Sequence, residues 1–228
     1  MSTTRTGVDM RITLRGTDEL GAPPERGTAR LLLQYEGTDR SRVLADTRRL
    51  ALTVQADVDS LRGPDGPVTD VHSDSLAVCS WVPVDRDGRP QERVHVATIP
   101  VRVEFSDFDE LSTRTFTWSG LEGVVVEGVD WDLTDATRRD LEERTLTGAL
   151  ADARRRARIL AAAAGAGDVR VVEVADRGML GGGGDDGSFT PVGIAGARML
   201  AAPGGDEGLR IEPRDVVVRA EVDVVLEA

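Results

Sequence analysis

The chain of 228 residues carries 40 acidic and 28 basic side chains, a formal charge of −12. That excess repels phosphate backbones and anionic lipid, which argues against general nucleic-acid or membrane-surface binding. Hydrophobic residues are 40% but aromatics only 4%, so a core has to rest on Val, Leu and Ala.

Met10, Ile12 and Leu14 alternate with polar neighbours and predict a first strand. Gly16 to Gly27, with Pro23-Pro24, reads as a turn-rich connector. Leu31, Leu33 and Tyr35 predict a second strand that ends at Gly37. Thr38 or Asp39 then opens a helix whose stripe is Val43, Leu44, Thr47, Leu50, Ala51, Val54, Val58 and Leu61, stopped by Gly63-Pro64. A hairpin follows. Its first strand carries Leu76, Val78, Val82 and Val84, and Asp85-Arg86-Asp87-Gly88 supplies the turn. The returning strand, Arg93 to Phe105, changes phase, and a bulge near Ala97-Thr98 would reconcile its halves; Pro100 fits an edge or that bulge. Asp107 to Ser112 reads as a short helix before a Thr-rich stretch reaching Trp118. Val129, Trp131 and Leu133 form a strand.

The longest element is a helix from Thr134 to Gly165. Thr134 or Asp135 caps its start, and Gly165 and Gly167 offer its end. Leu146, Leu150, Ala153, Ala157, Leu160 and Ala164 recur at spacings of four and three, a stripe whose alanines let the helix lie close to a sheet. Val169 to Val174 reads as a strand. Gly178 to Gly187 reads as a loop, flexible over about 178–191, and Val192 to Ala202 as a short strand. Val216 to Leu226 alternates without a break up to the end of the chain. The order predicts a single α+β domain over 1–228, a mixed or largely antiparallel sheet with two main helices on one face.

The helix from Ala149-Leu150-Ala151-Asp152-Ala153-Arg154 to Ala164-Gly165 resembles the Ala-rich "AxxDAxxxA…LAxxxG" helix of SIMPL-domain proteins, which a valine strand follows. Ile211-Glu212-Pro213 with the final strand, Pro24-Glu25 before Ala29-Arg30-Leu31, and Val101 to Leu111 with Asp107 are similar to that family too. The resemblance implies the α+β fold and no well-defined catalytic site. Relatives are mostly exported to the bacterial envelope, several are linked to oxidative-stress defence, and some form ring-like or channel-like homo-oligomers. This chain departs in its polar start, Met1 to Gly7, which lacks the apolar core of a signal peptide. No run reaches the roughly 20 apolar residues of a membrane span, so no membrane insertion is expected and cytoplasmic residence is the default.

The search for chemistry finds few candidates. Cys79 has no second cysteine to pair with. A Cys79–His95 nucleophile pair across strands is conceivable, but a lone cysteine is more often a small buried hydrophobe. His72 lies seven residues before Cys79, on the opposite face of a regular strand. Asp85, Asp87 and Gly88 resemble the start of a calcium loop but lack its later ligands, so a hairpin turn is the reading. Gly181 to Gly184 lacks the Lys-Ser/Thr and helix of a phosphate cradle. Asp107, Asp109, Glu110, Asp130 and Asp132 read as caps and solvated strand faces. No cofactor or metal is expected.

Arg154, Arg155, Arg156 and Arg158 form the densest positive cluster, a solvated face or an anion or partner site built on Arg154, Arg155 and Arg158. Leu141 and Ile159, eighteen residues apart, share an azimuth opposite the stripe. Either another part of the chain or a neighbouring subunit covers them. The expectation is a non-enzymatic, self-assembling homo-oligomer, with a binding module for a protein partner as the alternative and a cysteine- or metal-dependent enzyme ranked last.

Overall fold

Each strand pairing in the structure, a computed structural model describing residues 10–179 and 212–228, is antiparallel. The class is α+β, as expected. The strands nevertheless divide between two sheets instead of one, and the short helix expected from Asp107 becomes a third substantial helix beside the two main ones. The described residues form two compact units, 10–22 with 133–179 and 215–228, and 23–132 with 212–214.

The first unit holds β1 (Arg11–Ala22), α3 (Asp135–Ala163), β7 (Arg170–Asp176) and β8 (Val216–Glu227). Its sheet runs β1-β8-β7, so the strand nearest the C-terminus is central and unites the other two. β1 does not stop at Leu14 but continues through Gly16 to Ala22 in unbroken register, Arg11 opposite Glu227 and Ala22 opposite Val216. The predicted connector therefore shrinks to Pro23–Glu25. One face of the sheet, Ile12, Val222, Val224 and Leu226, packs under Ala149, Ala153, Ala157 and Ala161 of α3. The helix start adds a second cluster of Leu133, Leu141 and Val218.

The second unit contains β2 (Arg26–Gly37), α1 (Arg40–Ser60), β3 (Val68–Ser73), β4 (Ala77–Trp81), β5 (Val94–Phe105), α2 (Phe108–Ser119) and β6 (Val124–Asp132). Its sheet order is β3-β5-β2-β6, with β4 also pairing β5. Val43, Thr47, Leu50, Val54 and Val58 of α1 are buried, as are Ala29, Leu31, Leu33, Ile99, Val101, Val103 and Phe105 of the central strands. Asp39 caps α1 through the Ser41 and Arg42 amides.

α2 runs to Ser119 instead of stopping at Ser112. Ser112, Thr113 and Thr117 turn their hydroxyls back to carbonyls four residues earlier, at 2.8–2.9 Å, so the Thr-rich segment satisfies itself within a helix. Leu111, Thr115 and Trp118 form its buried stripe. The Trp118 indole N–H donates to Asp57 Oδ2 at 2.8 Å, and Arg114 Nη1 reaches Asp57 Oδ1 at 2.9 Å, which ties α2 to α1.

β5 has no bulge near Ala97-Thr98 in its pairing with β2. Its phase change is real but belongs to two faces: Ala97, Ile99, Val101, Val103 and Phe105 lie on the helix side, and Val94 and Val96 on the other. Pro100 sits in a central strand, opposite the junction where β3 ends and β4 begins. Its carbonyl accepts from Asp74 N at 3.0 Å on that flank, and a residue's N–H and C=O point the same way in a strand. The missing N–H therefore falls at a gap between neighbouring strands, where no ladder bond needs it.

Candidate functional site

The family-like helix meets β1 along a seam without spare room. A methyl group placed on Gly16 would stand 2.0 Å from the Ala149 carbonyl oxygen and 2.9 Å from Ala153 Cβ. Ala149, Ala153, Ala157 and Ala161 are all fully buried. Small side chains on the helix and a glycine on the strand thus permit the close approach predicted for the alanine stripe.

β1 is an edge strand, and its outward backbone groups would be open to pairing by another chain. α3 takes them with side chains. Asp152 Oδ2 accepts from Thr17 N at 3.4 Å, and Arg156 Nη1 donates to Arg15 O at 2.6 Å. Asp152 and Arg156 are themselves 3.5 Å apart, and Arg155 also pairs with Asp152. Burial pulls the Asp152 carboxyl upward, but Arg155, the Thr17 amide and Arg156 outweigh it and leave the group below its ordinary range. The carboxylate and the guanidinium stand where a neighbouring strand would offer an acceptor and a donor.

The other face of this sheet carries a cross-strand ion-pair ladder. Arg15 grips Asp223 with Nε at 2.7 Å and Nη2 at 3.1 Å, and Gly178 N donates to the same carboxylate at 2.9 Å. Asp223 is 8% exposed. The Arg15 hydrogen bonds, opposed by burial and aided by the Gly178 amide, hold its carboxyl below the ordinary range.

The residues singled out from sequence separate here. Leu141 is 4% exposed and belongs to the core with Leu133 and Val218, whereas Ile159 is 60% exposed. Their shared azimuth does not give them a shared environment, because the buried ridge is Leu141, Thr145, Ala149, Ala153, Ala157 and Ala161, all four apart. At about 100° per residue each step of four drifts about 40°, so the buried direction turns through roughly half a circle between the helix ends. The same drift leaves Leu146 and Leu160, part of the predicted stripe, about half exposed. Arg155 is held by Asp152, while Arg154 and Arg158 are exposed and make no ion pair among the described residues.

The candidate chemistry does not converge. Cys79 is exposed on β4, not buried. It stands opposite Val96, whereas His95 stands opposite Ser80, so Cys79 and His95 project from opposite sheet faces. His95 Nδ1 instead meets Ser80 Oγ at 2.7 Å, and His72 Nε2 meets Asp74 Oδ1 at 3.1 Å. Asp85 Oδ1 accepts from the Asp87 and Arg89 amides at 2.9 Å in the expected turn, with Gly88 at φ 77°. Asp107 caps α2, Glu110 pairs with Arg114, and Asp130 pairs with Arg30. Among the described residues no group of three His, Cys, Asp or Glu side chains can hold a metal. Gly181 to Gly184 and Val192 to Ala202 lie outside the described residues.

A hollow between α1 and β3, lined by Val54, Val58, Val71 and Val101, measures about 210 Å³. That is below the roughly 300 Å³ at which ligand clefts begin, whereas a wider, open depression of about 560 Å³ lies beside Leu61, Pro67, Ser106 and Glu110. No helix among the described residues is long and apolar enough to cross a membrane.

The sequence reading missed Gly16, Gly148 and the edge-binding role of Asp152 and Arg156. Its available signal was a glycine on the apolar phase of β1, which no alternation rule requires. No curated protein matches the chain. A family model does, over residues 12–226: SIMPL, described as a protein of unknown function (DUF541). The match spans both units and includes the Asp152–Ala153–Ala157 seam, so the chain belongs to the SIMPL family.

Proposed function

We propose that this protein works by association and not by bond-making, as a structural subunit that self-assembles. The observation that carries the reading is apolar surface left outside both cores. Ile159 and Leu160 on α3 and Val172 and Val174 on β7 are 40–60% exposed, and Leu146 of α3 and Val217 of β8 are about half exposed as well. The family-like residues support it as well: Ala149, Ala153 and Ala157 are spent on packing and Asp152 on an edge strand. Sedimentation velocity between 1 and about 100 µM tests the reading. Assemblies larger than one chain are expected, and a strict monomer across that range overturns it. A role in stress defence, implied by the relatives, belongs to the same proposal; unchanged peroxide survival on deletion of the protein would remove it.

A second reading rests on Arg154 and Arg158, two cations one turn apart and free of ion pairs among the described residues. As a binding module the chain would present them to an acidic partner. Capture from native extract separates the readings: mainly self-capture supports assembly, whereas a partner lost in Arg154→Ala/Arg158→Ala supports the module.

A further inference from the structure

With a formal charge of −12, two copies of this chain repel at long range, so any attraction between them has to be local. The outward face of α3 has its charges sorted by sign. Asp140 and Glu143 stand toward its start, Arg154 and Arg158 toward its end, and Thr147 and Ala151 lie between. At 3.6 residues per turn the six fall within about 40° of one direction, along about 27 Å of helix. The buried ridge turns without covering any of them, and all six are exposed. Glu143, Arg154 and Arg158 make no ion pair among the described residues. Asp140 gives Oδ2 to Arg144 at 3.2 Å and keeps Oδ1 for a second guanidinium.

We infer that this face receives the α3 of a second copy, antiparallel, about a two-fold axis level with Ala149. The inference rests on the self-assembly reading and names a surface for it. Such an axis sets each residue against the one equally far beyond it on the same flank. Asp140 and Arg158 are eighteen residues apart, five whole turns, and Glu143 and Arg154 are eleven apart, close to three. Both pairs therefore keep their flank, and each pairing forms twice. Thr147 and Ala151 meet at the centre, where their small side chains let the helices close. Sliding one helix by a turn keeps only one of the two pairings (Asp140 with Arg154, or Glu143 with Arg158), so the charges select the register. Arg144 and Arg155 come near each other at the edge of the contact, but each already faces a carboxylate of its own chain, Asp140 and Asp152.

Charge reversal on the full chain, read by sedimentation velocity, tests it. Arg154→Glu/Arg158→Glu makes the face wholly acidic and Asp140→Arg/Glu143→Arg makes it wholly basic, so each variant repels its own copy. Each alone is expected to self-associate at least about tenfold more weakly than the parent. An equimolar mixture sets an acidic face against a basic one and is expected to associate to within about threefold of the parent. Glu and Arg are both good helix formers, and far-UV circular dichroism verifies that each variant folds. A mixture no tighter than its components, or self-association that ignores both variants, overturns the α3 face while leaving assembly standing; a monomeric parent overturns both.

Discussion

At Gly16 an added methyl group meets backbone, the Ala149 carbonyl oxygen at 2.0 Å, and nothing flexible can yield. Gly16→Ala is expected to cost about 3 kcal/mol, measured by urea unfolding. Gly148 gives the contrast. Its added methyl meets the Asp18 carboxylate at 2.0 Å, the end of a side chain that can swing away. The substitution also recovers about 1 kcal/mol of helix propensity, so Gly148→Ala should stay within about 1 kcal/mol of the parent. Asp223 makes the pH argument. Its folded pKa lies below the unfolded value, so its stabilisation is complete above the unfolded pKa near 3.8 and is lost as pH falls through the folded pKa. Arg15 is 42% exposed, which discounts the pair to about 1 kcal/mol. Asp223→Asn should therefore lower stability at pH 6 by that amount, and its difference from the parent should shrink as pH falls below the unfolded value and through the folded one.

Element by element, legibility followed how local the cause is. The end of α3 was readable because Gly165 serves a local geometry. It sits at φ 73°, with Gly165 N bonded to Ala162 O at 3.1 Å and Ala166 N to Ala161 O at 2.9 Å. The cap at Thr134, the Asp85–Gly88 turn and the alternation of β8 were legible for the same reason. The buried stripe of α3 was not, because its direction depends on the angle at which the helix crosses the sheet, and that angle also separates Leu141 from Ile159. Pro100 was misplaced because the break between β3 and β4 lies on a neighbouring strand. The role of Asp152 was hidden as well, since Arg156 four residues on offers it an ordinary i,i+4 partner within the helix. Removing that carboxylate frees the Thr17 amide and both arginines. Asp152→Ala should cost about 1 kcal/mol, since Arg155 and Arg156 are 67% and 48% exposed. Amide hydrogen exchange should quicken at Thr17 more than at Gly16, whose pairing with Val222 remains. Equal changes at both would mean general loosening of β1 and no edge-binding role for Asp152.

For the whole molecule, the three-stranded unit joins the two ends of the chain, Arg11 facing Glu227, whereas the five-stranded unit is drawn from residues 23–132 apart from 212–214. Strand alternation carries no mark of which sheet a strand joins, which is why one sheet was expected where two exist. The division can be read out because the three tryptophans, Trp81, Trp118 and Trp131, all fall in the five-stranded unit. Trp118 and Trp131 are buried there, against Phe105 at 6.1 Å and Phe108 at 4.8 Å. Tryptophan fluorescence therefore follows that unit, while far-UV circular dichroism follows both. Each unit has its own core, so damage to one need not travel to the other. In Gly16→Ala the circular dichroism transition should broaden or split toward lower denaturant, with the fluorescence midpoint unmoved. If both midpoints fall together by the same amount, the two sheets unfold as one cooperative body, and the seam at Gly16 would then support the whole chain.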